Sequence, residues 1–331
     1  MILTKTPYRL SLFGGGTDYP AWFEKNPSKC ISAAMANYCY IYAKKLPPFF
    51  DHNLRIAYSK VENVKELHQI EHPAVRACLK HLNLHNDISI GFDGELPARS
   101  GIGSSSSFTV GLLKALYTLK GQNVTPYELA MQAIHVEQVV IGENVGIQDQ
   151  IMAAHGGIQI IHMGPGNRYK WHTEQVNLSE DYRKELESHI LLGFSGISRI
   201  AEVQAKKQVD KIKEGLNTNL LVKMSEITNE AIDLIQKEQS IDHFGKLMDK
   251  NWRVKRILAE GITDELLDSI YVQSIANGSL GTKLMGAGGG GFFMFLVPPE
   301  KQKEFKKQMT HIKVWVPFAF DMHGSQIILN S

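Results

Sequence analysis

Apolar and polar residues alternate in short blocks along the first half of the chain. Arg9, Ser11 and Phe13 alternate with Leu10 and Leu12, the two-residue period of a strand, and the run ends in Gly14-Gly15-Gly16 before Thr17 and Asp18. Blocks rich in Ile, Tyr and alternating residues predict further strands over Ile31–Lys44, Leu54–Ser59, Ile88–Phe92 and Gly157–Met163. Between them the period becomes helical. Val110, Leu113, Leu116 and Leu119 recur along Ser105–Leu119, and a second helix is predicted over Pro126–Ile141. The second helix opens with Thr125-Pro126-Tyr127-Glu128, a capping-box spacing with proline at the first helical position. An apolar run at His189–Phe194 leads into a strongly helical stretch from Ile200 to about Asn277. Strand patterns then return at Phe292–Val297, Lys313–Phe318 and Gln326–Leu329. These patterns predict a mixed α+β domain to about residue 180, then a domain of helices and a short sheet.

Composition removes several classes of function. A chain of 331 residues with net charge +2 has no field that would draw it to nucleic acid or anionic lipid. Cys30, Cys39 and Cys78 are an odd number without CxxC spacing, so free thiols are expected rather than a disulfide framework or a zinc site. Met1–Gly16 lacks the long apolar core of a secretory signal, and no stretch reaches the ~18 apolar residues of a membrane span. A cytoplasmic location is expected.

Pro97-Ala-Arg-Ser-Gly-Ile-Gly-Ser-Ser-Ser-Ser-Phe108 follows the strand at Ile88–Phe92 and opens the helix ending at Leu119. Glycines there let backbone approach a phosphate, and serine hydroxyls and free N–H groups at a helix start supply donors. A merely flexible serine-rich loop is the plainer alternative. Gly286, Gly288 and Gly291 satisfy GxGxxG, but a dinucleotide site needs a strand before the glycines and a helix after them. Here an apolar strand follows and helical pattern precedes, so a turn packed against another loop or a ligand is expected. No GxxxxGK[ST] occurs. Glu137 falls in line with Ala130, Ile134 and Ile141 on the predicted helix, where a carboxylate costs free energy unless paired or metal-bound. It is otherwise a solvated edge residue or half of a salt bridge. Asp149, in Gly146-Ile-Gln-Asp-Gln150, is in the place of an ordinary turn or capping aspartate unless it carries chemistry.

Taken together and in this order, Pro7–Tyr19, Pro97–Phe108 and Leu284–Phe292 resemble the three signature motifs of the GHMP kinase family (galacto-, homoserine, mevalonate and phosphomevalonate kinases), and the resemblance covers essentially the whole chain. It implies an α+β fold of two domains: a ribosomal-S5-like N-terminal domain over 1–180 and a ferredoxin-like C-terminal domain over 181–331, with ATP between them. By the same resemblance Ser100, Gly101, Ile102, Gly103, Ser104, Ser105 and Ser106 hold ATP, and Ser105 and Glu137 bind Mg²⁺. Asp149 takes the proton of the attacking hydroxyl with Arg9 beside it. Thr17, Asp18, Ser195, Arg199, Gly288 and Gly289 fall to the acceptor.

Where galactokinases carry Glu and His, this chain has Gly15 and Gly16, which removes two side chains and implies open space. Phe13–Pro20, Val145–Gln150 and Ser195–Arg199 are similar to the heptose 7-phosphate kinases of the family. That similarity implies ATP-dependent phosphorylation of the anomeric hydroxyl of D-glycero-D-manno-heptose 7-phosphate to the 1,7-bisphosphate, on the route to GDP-heptose and surface polysaccharide. An acceptor phosphate needs cations, and Arg199, Arg168 and Lys170 are candidates, although a lone basic residue is more often solvated. The expected partners are ATP and a sugar phosphate, with no nucleic acid and no membrane, and with a homodimer allowed. Three alternatives stand beside this: a kinase for an unphosphorylated hexose or fucose, a catalytically silent sugar- and nucleotide-binding regulator, and a dinucleotide oxidoreductase resting only on Gly286–Gly291.

Overall fold

The computed structural model describes every residue except 198–200. The N-terminal alternating segment forms β1 (Ile2–Phe13), and after α1 (Pro20–Phe23) the chain returns as β2 (Ser28–Lys45). The hairpin β3 (Leu54–Ala57) and β4 (Val61–Val64), helix α2 (Pro73–His81) and strand β5 (Ile88–Gly94) follow. Next come α3 (Ser104–Leu119), α4 (Pro126–His135), α5 (Gln148–His155) and the hairpin β6 (Ile158–Met163) and β7 (Trp171–Gln175). β2 is long enough to serve two partners on one edge. Ser28–Ala33 pair with β6, and Cys39–Lys45 pair with β5.

Helices α3 and α5 pack on β1 and β2, and elements of the second domain also reach β1, so this strand is buried almost throughout. Its polar residues are therefore enclosed and need partners. Thr6 Oγ1 is 2.8 Å from Ser325 Oγ, and Ser107 Oγ donates to the Pro7 carbonyl at 2.8 Å.

The second domain contains α6 (Glu180–His189), β8 (Ile190–Phe194), α7 (Ala201–Lys213), α8 (Thr218–Gln236), α9 (Ile241–Lys255) and α10 (Glu265–Ala276). It continues with β9 (Gly281–Leu284), β10 (Phe292–Leu296), α11 (Gln302–Gln308) and β11 (Val314–Val316), and the chain ends in β12 (Gln326–Asn330). The four-stranded sheet has the order β11-β8-β10-β9, all antiparallel. Numbered within the domain this is 4-1-3-2 with helices in the first and third connections, the ferredoxin-like arrangement. Phe295 packs edge-on to Phe305 at 5.3 Å and lies 5.6 Å from Trp315, which closes the sheet onto α11.

Two expectations are corrected. The second domain does not run unbroken to residue 331, because β12 pairs antiparallel with β1 and caps an edge of the first sheet. The glycine run after Leu284 is preceded by a strand, not a helix: it is the loop of the β9–β10 hairpin, and four residues of β9 are too few to stand out against the helical pattern before them. The capping box at Thr125 is present, with Glu128 N donating to Thr125 Oγ1 at 3.2 Å and Thr125 N to Glu128 Oε2 at 2.9 Å. All three cysteines are buried free thiols. No described helix is long and apolar enough to cross a membrane.

The two domains are fastened behind the first glycine turn. Phe13 at the end of β1 meets Phe244 of α9 edge-on at 5.1 Å. Lys283 on β9, fully buried, donates to the carbonyls of Ser11 at 2.5 Å and Leu12 at 2.9 Å.

Candidate active site

The serine-rich loop enters α3 through Gly103, whose φ of +75° is a left-handed conformation that glycine adopts without strain. No side chain caps this helix, so the free N–H groups of its first turn face outward. Ile102 and Ser100 act through backbone. The Ile102 carbonyl accepts Arg9 N at 3.0 Å, the Ser100 carbonyl accepts Phe292 N at 3.0 Å, and both side chains are buried. The C-terminal glycine loop rests directly on this one. A Cβ at Gly286 would lie 2.5 Å from Gly101 Cα, and one at Gly291 2.2 Å from the Ser100 carbonyl oxygen. Only glycine lets two backbones approach so closely. The expectation of a turn packed on another loop is met here.

Arg9 and Asp149, separated by 140 residues, meet at this junction. Arg9 Nε donates to Asp149 Oδ1 at 2.6 Å and an Nη to Oδ2 at 2.7 Å, a bidentate pair, while the other Nη donates to the Gly101 carbonyl at 2.7 Å. Arg9 is 5% exposed, whereas the Asp149 side chain keeps 26% of its surface. Asp149 sits in the first turn of α5 but does not cap it; Ile147 holds that position. A Cβ on Gly103 would fall 3.3 Å from Asp149 Oδ2, which places the carboxylate against the entrance to α3.

Glu137 is 1% exposed. The predicted helix ends earlier than its pattern suggests, at His135, and Val136–Ile141 form a wider π-turn in which Gly142 N donates to the Glu137 carbonyl at 3.1 Å. Such turns re-aim a side chain and recur at functional sites. Glu137 Oε2 accepts the Ser106 hydroxyl at 2.8 Å and the Gln150 amide, while Oε1 has no partner among the described residues. Burial pushes its carboxyl up to about 7, the nearby Glu143 charge adds to this, and the hydrogen bonds of Gln150 and Ser106, with the neighbouring Thr109 hydroxyl, oppose it.

An orphaned, buried carboxylate oxygen beside a hydroxyl suits a hard cation with oxygen ligands. Among the described residues no three His, Cys, Asp or Glu side chains converge, so phosphate and water oxygens would have to complete such a shell. The serine at this place is Ser106. Ser105, expected there, is exposed on the helix surface, because the side chain one residue earlier points about a quarter-turn away from Glu137.

The first glycine turn is stitched to the segment before α5. Ile147 N donates to the Asp18 carbonyl at 3.2 Å, and Asp18 Oδ1 accepts Gly16 N at 2.9 Å. Asp18 is buried near Asp149, and its carboxyl is raised by burial first and by the Asp149 charge, against the Gly16 hydrogen bond. Thr17 is fully buried and its hydroxyl is committed to the Gly14 carbonyl at 2.8 Å, so it shapes the turn rather than facing a ligand. Gly15 and Gly16 do not open space. A Cβ at Gly15 would meet Ser11 Oγ at 2.7 Å and one at Gly16 would meet Leu258 at 3.3 Å, so neighbours fill the room.

Ser195 is likewise structural here: its hydroxyl and amide both bond the Gly291 carbonyl, at 2.9 and 3.1 Å. Gly289 N donates to the Ile262 carbonyl at 2.8 Å, and a Cβ at Gly288 would meet Ile262 Cα at 2.7 Å. Arg199 lies outside the described residues. Arg168 reaches Gln138 at 3.4 Å and Lys170 lies along Gly164 and Gly166; neither forms an ion pair with Asp18 or Asp149.

Lys255 was not singled out from the sequence. It is 3% exposed and donates to the Gly286 carbonyl at 2.5 Å. The available signal was a lysine on the apolar stripe of α9, three residues after Trp252 and seven after Met248.

Residues 67–157 match the family model for the GHMP kinases N terminal domain, and residues 230–312 match GHMP kinases C terminal. A D-glycero-alpha-D-manno-heptose 7-phosphate kinase of Campylobacter jejuni is 28% identical, covering 98% of this chain and 97% of that one. A mevalonate kinase of Thermococcus onnurineus is 27% identical over 68% of this chain and 64% of its own. Among solved structures, a D-glycero-D-manno-heptose 1-phosphate kinase from Bacteroides thetaiotaomicron superposes with a TM-score of 0.81 at 20% identity, over the full length of both chains. A Lactococcus lactis galactokinase complexed with galactose gives 0.77 at 18% identity, over 98% of this chain and 94% of that one. These last two are likenesses of fold.

Proposed function

The chain belongs to the GHMP kinase family, and from that premise we propose that it is an ATP-dependent sugar kinase whose acceptor is D-glycero-D-manno-heptose 7-phosphate and whose product is the 1,7-bisphosphate. The observation that carries the reading is the bidentate Arg9–Asp149 pair set against Gly103 at the uncapped start of α3. It brings a carboxylate and a guanidinium to the place where a helix N-terminus attracts phosphate.

Asp149 accepts the proton of the attacking hydroxyl. Each of its oxygens already accepts one Arg9 N–H and keeps lone-pair capacity for the acceptor. Arg9 fixes that carboxylate in place, and two of its five N–H groups remain for oxygens of the transferring group. The backbone amides at Ser104–Ser106 orient the triphosphate, and the contact between the two glycine loops keeps the reacting atoms in line. Glu137 and Ser106 are the residues that would hold Mg²⁺, which when bound supplies charge neutralisation on the phosphate oxygens.

The heptose acceptor rests on the full-length similarity to the Campylobacter jejuni enzyme. The names of that relative and of the Bacteroides thetaiotaomicron structure place the acceptor's phosphate on different carbons, so the position is part of the test. Purified protein, ATP and Mg²⁺ are incubated with heptose 7-phosphate, heptose 1-phosphate, mannose 6-phosphate, mannose, fucose and galactose, and products are located by phosphorus NMR. The expected result is a new anomeric phosphate on heptose 7-phosphate, with the highest kcat/KM of the panel. Preferred turnover of an unphosphorylated sugar would discard the acceptor and keep the kinase.

A further inference from the structure

Helix α9 buries Ile241, Phe244, Leu247, Met248 and Trp252 on one stripe, and Lys255 ends that stripe. An ammonium has three N–H donors. Among the described residues this one has a single hydrogen bond, to the Gly286 carbonyl at 2.5 Å, and no ion pair. Lys283, the other buried lysine, spends its donors on two carbonyls of β1 and so joins the domains. Lys255 keeps donors in reserve, and a buried cation without a counter-ion is costly.

Its surroundings say where those donors lie. Gly286 is pressed on Gly101, and the Gly101 carbonyl is held by Arg9 at 2.7 Å, so a short chain of contacts links the ammonium to the Arg9–Asp149 pair. Burial lowers its proton affinity to about 8. The Arg9 charge adds to this, and the charges of Asp18 and Asp149 oppose it. Those three residues act on the ammonium, and so does the buried Lys283, whose own proton affinity the Lys255 charge lowers.

We infer that Lys255 is a second cation of the transfer site: it donates to an oxygen of a bound phosphoryl group and, through Gly286, holds the C-terminal glycine loop on the serine-rich loop. The phosphoryl oxygen belongs to the group in transfer or to the acceptor's own phosphate, which present the same chemistry. The inference rests on the kinase reading and not on which sugar is the acceptor.

Wild type, K255M and K255R are compared in steady state from pH 6 to 9.5, with thermal melting for each and calorimetric binding of ADP and a non-hydrolysable ATP analogue. Loss of the cation in K255M lowers kcat by about 100-fold if it serves the group in transfer, or raises the acceptor KM by a similar factor if it serves the acceptor phosphate. Wild-type kcat/KM, which reports the free enzyme, falls as pH rises through about 8, where the ammonium loses its proton. K255R restores part of the activity and lacks that alkaline limb, because a guanidinium stays charged.

Values for K255M within threefold of wild type overturn the inference. So does a loss that merely follows a lowered Tm while K255R keeps the wild-type alkaline limb. Wild-type turnover of an unphosphorylated sugar rejects the proposed acceptor, and the Lys255 comparison is then read on that sugar. If the wild type is inert toward every acceptor, the kinase assignment falls short, and binding decides Lys255: in K255M either the ATP-analogue preference over ADP or the calorimetric affinity for heptose 7-phosphate falls at least tenfold, or the inference is wrong.

Discussion

Two carboxylates stand at the entrance to α3, and they are neutralised in different ways. Asp149 has its counter-ion built in, a guanidinium that grips both oxygens and is itself tied to the serine-rich loop. Glu137 is more deeply buried, yet among the described residues it is met by neutral donors only and keeps one oxygen without a partner. The first corner is complete as folded, with the carboxylate held at both oxygens and still partly open to solvent. The second is under-neutralised: burial first, and the Glu143 charge after it, raise its carboxyl to about 7 and leave it fit to receive a cation. A family's acidic residues can thus be assigned different work by asking which of them the protein itself pairs.

The largest loss is expected at Asp149. Asp149→Asn retains a side chain of the same shape but cannot take up a proton in the same way. It should lower kcat by about 10³–10⁴-fold with nucleotide affinity within about threefold, since general-base contributions reach this size. Stopped-time product assays and calorimetry would measure both. Near-normal turnover would remove Asp149 from the chemistry.

Glu137→Gln tests the opposite corner and should split function from stability. Turnover should fall about 10²-fold or more at fixed Mg²⁺, as for loss of one electrostatic stabiliser. The metal-free protein should become more stable above pH 7. With the carboxyl raised from an ordinary 4.5 to about 7, the folded wild type binds the extra proton between these values, so its stability declines as pH rises through that window. The difference amounts to roughly 3 kcal/mol at most, at about 1.4 kcal/mol per pH unit. Thermal melts of both proteins at pH 5 and pH 8, with chelator, check it. Equal melting shifts at the two pH values would show that Glu137 is not strained by its burial.

The smallest effect sharpens the assignment of the hydroxyl. Ser106→Ala should raise the Mg²⁺ concentration for half-maximal activity about tenfold, the size of a lost hydrogen bond to a charged group. Ser105→Ala, on the exposed side of the first turn, should stay within twofold. A reversal of the two would mean that nucleotide binding rotates the start of α3.

Much of this was legible in the chain. The strand before and the helix after Pro97–Phe108 are patterned clearly enough that the loop's place in the fold follows from its neighbours. The capping box at Thr125 worked as written. Other features were hidden by local signals too weak to compete. β9 has four residues, and the helix bearing Glu137 keeps its apolar period through Ile141 although its hydrogen bonding changes to a π-turn at Val136. The open space inferred at Gly15 and Gly16 failed for a similar reason. A missing side chain in a motif says nothing about what the rest of the chain moves into its place, here Ser11 and Leu258.

Which segments become strands and helices, where the backbone needs glycine, and that a strand-to-helix loop offers its amides to an anion can all be read along the chain, because each depends on residues within a few positions of one another. That Arg9 grips Asp149, that Ser106 rather than Ser105 faces Glu137, and that Lys255 arrives beside Gly286 emerge when the chain is packed. Each depends on the direction of a side chain and on packing between segments far apart in the chain, and no local spacing fixes either.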